Sequence, residues 1–192
     1  MAKLHHTPFA SDQIGQWQPK RKNQWYVELQ PPAGNALESI MVKSAGLPGG
    51  SFTEIAIDYM NSKYYFPGKW EWETIQMTLR DFVGNSATQK LYDWFLHIYN
   101  PETGGQNMGG EVKRNVSIKL LDPRGNLVET WTLVGAWPSA MNWGEGGLAY
   151  DDDGERELSV TFRFDYAVLA SEDAPNTGFN INLDEDETNE PN

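Results

Sequence analysis

The chain is 192 residues long, enough for one domain with a substantial core, and its formal net charge is −12 at pH 7. It has no cysteine, which excludes disulfides, thiolate metal sites and cysteine nucleophiles. The acidic balance argues against a protein that grips nucleic acid through its phosphates, because such a grip needs lysine and arginine.

Changes in composition divide the chain into three predicted segments. Residues 1–23 show no sustained periodicity, end in Lys20-Arg21-Lys22, and are predicted to form a flexible N-terminal arm. Residues 24–170 carry the patterns of a β domain, and residues 171–192, with seven acidic residues and no basic one, are predicted to form a solvated tail. The N-terminal stretch lacks a continuous apolar run, so we expect no signal peptide, no membrane-spanning segment and a cytosolic origin.

Two strands are predicted at the start of the β domain. The first covers residues 24–30 and is closed by Pro31-Pro32 and a turn around Gly34-Asn35. The second covers residues 39–45 and ends at the glycine- and proline-rich stretch 46–50. Both are short strands of the kind found in antiparallel sheets.

Residues 51–83 are predicted to organise the rest of the domain as two alternating strands with a long connection between them. The connection, residues 60–70, is too rich in aromatic side chains for an ordinary solvated loop, so we expect it to need a partner. The side chains predicted to face the core are Ile55, Ile57 and Tyr59 in the first strand and Ile75, Met77 and Leu79 in the second.

The second half of the domain combines one helix with three strands. Residues 85–99 have an apolar stripe at helical spacing, and Asn85 or Ser86 can cap the helix. Residues 103–110 are predicted to form a loop, and residues 112–121 and 127–137 a hairpin. The final strand, residues 158–166, is predicted to place these side chains inward: Leu158, Val160, Phe162, Phe164 and Tyr166.

No group of residues predicts catalysis. The run Asp151-Asp152-Asp153-Gly154 resembles part of a calcium loop, but the first and twelfth loop positions would be Ala149 and Val160, which lack a side-chain oxygen. Glu71 and Glu73 could share one face of a strand, yet no second arm that would bind a sugar is predicted. With three histidines in the whole chain, we expect no enzyme activity, no metal site and no cofactor.

The tryptophans are the strongest functional signal. Filling of the core explains Trp94, Trp131 and Trp137. Trp70 and Trp72 instead lie beside glycine, proline and lysine, and aromatic residues with a polar rim are typical of buried subunit contacts. A platform that stacks against sugars uses the same residue types, so composition leaves both interpretations open.

Five stretches carry a resemblance to a known family. They are Tyr59-Met60-Asn61-Ser62-Lys63 with its continuation to Phe66-Pro67-Gly68, residues 72–79, the helix with Leu91-Tyr92-Asp93-Trp94, residues 133–138, and the closing strand 158–166. In this order they resemble the tail tube proteins of contractile-tailed bacteriophages, the myovirus-type tube subunits. The similarity extends over roughly residues 24–168.

The resemblance implies a mainly β fold, an antiparallel β-sandwich or incomplete barrel with one flanking α-helix at about residues 86–99. Copies would assemble into a ring with a continuous inner β-barrel. It implies a structural protein in which hexameric rings stack into a hollow tube, and double-stranded genomic DNA passes through without specific binding. The implied partners are the contractile sheath protein, the baseplate and the tail-terminator protein. The implied location is the virion, after assembly in the bacterial host cytoplasm.

Two candidate surfaces follow from the resemblance and the alternation together. A neutral or acidic bore would let DNA slide, because it offers few cations to hold phosphates. The candidates for contacts between subunits or rings are Tyr59, Met60, Asn61, Lys63, Tyr64, Tyr65, Phe66, Pro67 and Trp70. The candidates for facing the bore are Glu54, Asp58, Thr74, Gln76, Thr78 and Arg80.

Two alternatives remain open at this stage. The same fold could serve as the tube of a type VI secretion system, of a phage-tail-like bacteriocin, or as a terminal tail protein. A carbohydrate-binding β-sandwich that uses the aromatic connection would instead be a soluble monomer.

Overall fold

The fold was analysed in a computed structural model, which describes residues 19–32, 36–145 and 147–171. The predicted turn at Gly34-Asn35, most of the predicted arm and the predicted tail beyond residue 171 lie outside the described residues, so the three-segment division stays a prediction. The strands are β1 Trp25–Leu29, β2 Val42–Ala45, β3 Gly50–Tyr59, β4 Ser62–Trp72, β5 Ile75–Arg80, β6 Arg114–Leu121, β7 Leu127–Glu145, β8 Glu157–Arg163 and β9 Tyr166–Ser171. The helices are α1 Ala87–Ile98, the four-residue α2 Gly109–Val112 and a 3-10 helix at Ser39–Met41.

Seven of these strands form one antiparallel sheet that is divided into two layers by the long strand β7. In the first layer β1 pairs with β6, β6 with the first half of β7, and that half of β7 also with β9. In the second layer the other half of β7 pairs with β8, β8 with β5, and β5 with β2. The strands β3 and β4 form a separate two-stranded sheet.

The corner between the two layers lies at Gly135 in β7. Its φ of 68° is in the left-handed region of backbone conformation, which residues with a Cβ rarely adopt. A Cβ at this position would also overlap the Asp165 carboxylate. Asp165 lies at the break between β8 and β9, and it accepts hydrogen bonds from the Lys113 ammonium at 2.7 and 2.8 Å. Both β7 and the β8–β9 segment therefore turn from one layer to the other at the same place.

One hydrophobic core fills the space between the layers and under the helix. Val116 and Leu133 reach it from the first layer, and Met77, Val160 and Phe162 reach it from the second, all essentially without solvent exposure. Alternation along each strand produces this arrangement, because every second side chain points inward. The other face of the second layer is left to solvent or to a partner.

Helix α1 closes the core with its apolar stripe. Ser86 caps it, and its hydroxyl accepts a hydrogen bond from the Gln89 amide. Trp94 is fully buried, its ring lies 5.7 Å from the ring of Phe162, and its indole nitrogen donates to the Val112 carbonyl at 3.1 Å. The indole thus keeps a hydrogen-bond partner in the interior, as a buried tryptophan requires.

A carboxylate at the end of β5 ties the start of the helix to the second layer. Asp81 accepts hydrogen bonds from the hydroxyls of Ser86 and Thr88 and from the Arg156 guanidinium, each within 2.9 Å. Partial burial acts to raise the pKa of Asp81, but the hydrogen bonds from Thr88 and Ser86 and the charge of Arg156 outweigh it and hold the pKa below its ordinary value.

The mainly β fold with one flanking helix, predicted from the resemblance, is confirmed as far as this single chain reaches: the sheet is antiparallel and does not close on itself. The prediction for the first strand and the helix is met to within two residues at each end. The strand predicted at residues 39–45 is half wrong, because its first three residues form the 3-10 helix. The strand predicted at residues 112–121 starts two residues later in the structure, because β6 begins at Arg114.

Three further predictions from alternation are wrong. Residues 60–70 are not a connection but mostly strand, since β4 pairs with β3. Consequently Ile55, Ile57 and Tyr59 do not reach the core; each is at least half exposed. The predicted final strand breaks at Phe164 and Asp165, which leaves Tyr166 half exposed on β9 instead of inward.

We predict that Gly135→Ala destabilises the corner. An L-residue in the left-handed region costs about 1–2 kcal/mol, and displacement of Asp165 adds to this, so the melting temperature should fall by roughly 4–8 °C. Gly144→Ala in the same strand is the matched control, because no atom lies within 4 Å of the added Cβ. Thermal unfolding followed by circular dichroism tests this, and equal melting temperatures for the two variants would contradict it.

We also predict a pH-dependent effect of Asp81→Asn. The folded-state pKa of Asp81 is depressed, so its contribution is fully present above the unfolded value of about 3.9 and is lost as the pH falls through the folded value. Hydrogen bonds to a charged group contribute about 1.5–3 kcal/mol, so the variant should melt several degrees below wild type at pH 7 and close to it near pH 2. Asp151→Asn, in the exposed loop after β7, should show no such convergence.

Candidate assembly interface

Among the described residues, the hairpin of β3 and β4 carries nine large hydrophobic side chains that are exposed. The two strands run antiparallel from the pair Gly50 and Trp72 to the pair Tyr59 and Ser62, with Met60 and Asn61 as a two-residue turn. The φ of Met60 is 52°, and two-residue hairpin turns need a positive φ at their first central residue. The turn contains no glycine, which is why the sequence pattern does not reveal it.

The cross-strand register sorts the outer hairpin into two faces. Paired residues on antiparallel strands share a face, so Ile55 lies beside Phe66, and Ile57 beside Tyr64. The opposite face carries the pair Glu54 and Pro67 and the pair Asp58 and Lys63. We call the first face the apolar face; it consists of Ile55, Ile57, Tyr59, Tyr64 and Phe66, which are each 50–61% exposed.

A bulge and a series of aromatic rings hold the base of the hairpin. The register shifts between Phe52 and Glu54, where Gly68 approaches Thr53 so closely that a Cβ would overlap it. Below the bulge, the rings of Phe52 and Trp70 lie 4.7 Å apart and those of Trp70 and Trp72 5.3 Å apart. Trp72 then contacts Phe164 of the core with 5.8 Å between ring centroids. These contacts fix the direction in which the hairpin leaves the domain.

The solvent-side face of the second layer is the second candidate surface. Its central rows consist of small polar side chains, because Gln76 pairs with Thr161, and Thr78 with Ser159. The outer margins of this layer are β2 on one side and the second half of β7 on the other. Within the described residues, neither margin pairs with a further strand.

Ion pairs neutralise one end of this polar face. Lys43 contacts both Glu155 and Glu157, and Arg80 contacts Glu155 at 3.0 Å. The hydrogen bond that Lys43 donates to Glu157, followed by the one that it donates to Glu155, raises the pKa of Lys43. The hydrogen bonds that Glu155 accepts from Lys43 and then from Arg80 lower the pKa of Glu155. The cations of this end are therefore compensated by carboxylates.

The predicted contact residues all lie in the hairpin, but on both of its faces. Tyr64 and Phe66 belong to the apolar face, whereas Tyr65, Lys63 and Pro67 belong to the opposite face. Met60 and Asn61 form the turn, and Trp70 lies at the base. Sequence reasoning missed Ile55 and Ile57 as members of this surface, since alternation shows that two residues share a face but not what covers that face.

The predicted bore residues fall into two groups that do not meet in the single chain. Gln76, Thr78 and Arg80 lie on the polar face of β5, and Thr74 precedes that strand. Glu54 and Asp58 lie on the hairpin face opposite the apolar one, in the separate two-stranded sheet. Ser159 and Thr161 extend the polar face; the pattern shows them pointing outward, but only the pairing of β5 with β8 places them beside Gln76 and Thr78.

The described residues lack the features of a metal site and of a membrane-spanning helix. They contain no group of three or more His, Asp or Glu side chains arranged to hold a metal ion. They also contain no helix with the length and hydrophobicity needed to span a membrane.

Comparison with known proteins then decides the family. The family model described as T4-like virus tail tube protein gp19 matches residues 22–155, well over half of the chain. The chain belongs to this family. It is a tail tube protein, and the predicted resemblance is confirmed.

Individual relatives agree with this assignment. The tail tube protein of Serratia phage KSP90 is 28% identical over 129 residues, which cover 64% of this chain and 73% of the relative. A chain of the extended sheath–tube complex of an extracellular contractile injection system, PVC, shares the fold with a TM-score of 0.64 at 17% identity, covering 84% of this chain and 98% of that one. The SPP1 tail tube protein shares it with a TM-score of 0.52 at 12% identity, covering 80% of each chain.

Proposed function

We propose that six copies of this tail tube protein close into a ring and that the rings stack into the hollow tube of a phage tail. The two open margins of the second layer support the ring. Unpaired strand edges are prone to pair with another chain, and a head-to-tail contact repeated around an axis leaves no edge free. The margin β2 of one copy would pair with the second half of β7 of the next, so that the second layers form one continuous barrel.

The apolar face of the hairpin is the observation that carries the proposal. Five large side chains at least half exposed in one contiguous face are unusual for a monomer and mark an interaction surface. Covering each would stabilise the assembly by up to roughly 1.5–3 kcal/mol. We infer that this face packs against a neighbouring subunit or the adjacent ring. The residues that would make the contact are Ile55, Ile57, Tyr59, Tyr64 and Phe66, with Met60 and Asn61 at the tip.

The polar face of the second layer would line the bore. Its middle is uncharged, and at one end Lys43 and Arg80 are already paired with carboxylates. Arg163 lies on this face at the other end of β8, and the described residues provide no ion pair for it. A duplex would therefore meet few free cations per ring. Weak contact matters here, because attraction at each ring would multiply along a tube of many rings.

The role would be structural, without catalysis, in the virion. By analogy with the sheath–tube complex of the similar injection system, the outer side of the tube would contact a contractile sheath. By analogy with the terminator and baseplate structures that share the fold, its two ends would contact a terminator protein and a baseplate. Assembly would take place in the bacterial host cytoplasm. An injection-system or bacteriocin tube is the second candidate, favoured by the fold match to PVC. Sheath and baseplate genes without capsid genes beside this gene would identify it.

We predict that Ile57→Ser combined with Tyr64→Ser blocks polymerisation and leaves the subunit folded. The two side chains are cross-strand neighbours on the apolar face and are each at least 50% exposed, so their loss costs the isolated subunit roughly 0.2–1 kcal/mol. Negative-stain electron microscopy and sedimentation velocity would measure tubes and rings.

The matched control is Leu148→Ser with Tyr150→Ser, an aliphatic and an aromatic side chain that are both fully exposed in the loop between β7 and β8. This variant should form tubes like wild type. Tubes of normal length from the hairpin variant, or loss of tubes from the loop variant alone, would refute the assignment of the apolar face.

We predict that Glu54→Lys with Asp58→Lys still gives tubes but slows DNA ejection, because the added ammonium groups would bind passing phosphates. The control is Glu102→Lys with Glu111→Lys, the same change in charge on exposed residues outside the hairpin and the second layer. Ejection from purified particles is followed by a DNA-binding dye at two salt concentrations. Unchanged ejection from particles that carry the hairpin variant would remove these two residues from the bore.

A further inference from the structure

The open side of the sandwich in the single chain holds a groove, one wall of which is the β2 margin that the proposed ring would cover. It lies between the edge strand of the first layer, β1, and the edge strand of the second layer, β2, with a volume of about 440 Å³. The wall is apolar, and Leu47 is half exposed to the groove. Its apolar lining consists of Trp25, Ala45, Leu47, Ile118 and Leu120.

The mouth of this groove is strongly basic in an acidic protein. Lys20, Arg21, Lys22 and Lys43 line it. Lys20 is bound to Glu129 and Lys43 to Glu155 and Glu157, but the described residues contain no acidic partner within ion-pair distance of Arg21 or Lys22. The groove therefore offers an apolar floor and two uncompensated cations to an elongated, acidic and partly apolar ligand.

The chain contains such a segment beyond the described residues. In residues 179–187, Phe179, Ile181 and Leu183 alternate with asparagines and are followed directly by four acidic residues, Asp184 to Glu187. Alternation of this kind is typical of a strand with one apolar face. The N-terminal residues 1–18 offer no equivalent, since their only acidic residue is Asp12.

The register of the first layer brings Ser171, eight residues before this segment, within reach of the groove. Trp25 pairs with Leu120, Leu120 with Glu129, and Glu129 with Ser171, so the last residue of β9 lies in the same row as the groove wall. Three strand spacings separate Ser171 from Trp25, about 14 Å. The eight residues from Ser171 to Phe179 span up to about 26 Å when extended, which is more than enough.

We propose that residues 179–187 of the tail dock in the groove of their own chain in the unassembled subunit. Phe179, Ile181 and Leu183 would cover the apolar floor, and the acidic run would pair with Arg21 and Lys22. An extended segment in this position lies alongside the unpaired edge of β2 and the Trp25 end of β1, whose other end is already bridged to Leu37. Unpaired strand edges accept added strands. The inference goes beyond tube assembly and does not depend on it, because docking is a property of the single chain.

Proteolysis of the full-length chain tests the docking without assuming a register. A glutamyl endopeptidase that cuts after Glu185 and Glu187 should cleave the tail of wild-type subunits several-fold more slowly than the tail of Arg21→Gln with Lys22→Gln. The control, Lys69→Gln with Arg163→Gln, makes the same change in charge at exposed positions outside the groove, and its tail should be cleaved like that of wild type. Equal rates for wild type and the groove variant, measured on the monomer fraction, would overturn the proposal.

Cysteine cross-linking locates the docked segment, and the absence of natural cysteines keeps the background clean. We expect the pair Leu47→Cys and Ile181→Cys to oxidise within one chain about tenfold faster than the pair Val168→Cys and Ile181→Cys. A free tail would favour Val168, which lies only about 10 Å from Ser171 along β9. Faster bonding to Val168, or disulfides formed between chains at low protein concentration instead of within one, would overturn docking in the same chain.

Discussion

The bend of β7 at Gly135 is the constraint on which the rest of the molecule depends. Because this strand belongs to both layers, the core, the two outer margins and the position of β9 all follow from it. The Asp165 carboxylate occupies the space that a side chain at Gly135 would need, and Lys113 holds that carboxylate in place. Both β7 and the β8–β9 segment therefore pass from one layer to the other at the same place. The second layer is left with two strand edges that have no partner within the described part of the subunit.

The hairpin and the second layer have complementary chemistry. The hairpin leaves the domain through a series of aromatic rings that begins at Phe164 in the core, so its direction is fixed although its outer half is exposed. It presents large apolar side chains on one face, whereas the second layer presents hydroxyl and amide groups. In the proposed tube, the apolar contact would hold subunits together and the uncharged wall would leave a passing polyanion free, two tasks that need separate surfaces.

The cationic side chains of the described residues differ in whether they have an acidic partner. Several cations of the body are paired with carboxylates, such as Lys43 with Glu155 and Glu157 and Arg156 with Asp81. Arg21 and Lys22 have no acidic partner among the described residues, and they lie at the groove mouth beside an apolar floor. In the proposed docking, the acidic run that would compensate them comes from the far end of the sequence. The first-layer register places Ser171, the last described residue, in the same row as Trp25.

The sequence by itself determined the class of the fold, the helix with two candidate caps, and most strand positions, and it led to the prediction that the aromatic region needs a partner. These follow from local periodicity and from residues such as Ser86, whose preferences act over a few positions. Only the tertiary structure decided that residues 62–72 form a strand, that Ile55 and Ile57 face outward, and that β8 breaks before Tyr166. Alternation is the same whether a face meets the core or a neighbour, and a turn made of Met60 and Asn61 carries no glycine signal. The cross-strand register that joins Trp25 to Ser171 could not be predicted from the sequence either, because pairing between distant strands is set by how the layers pack and not by any one segment.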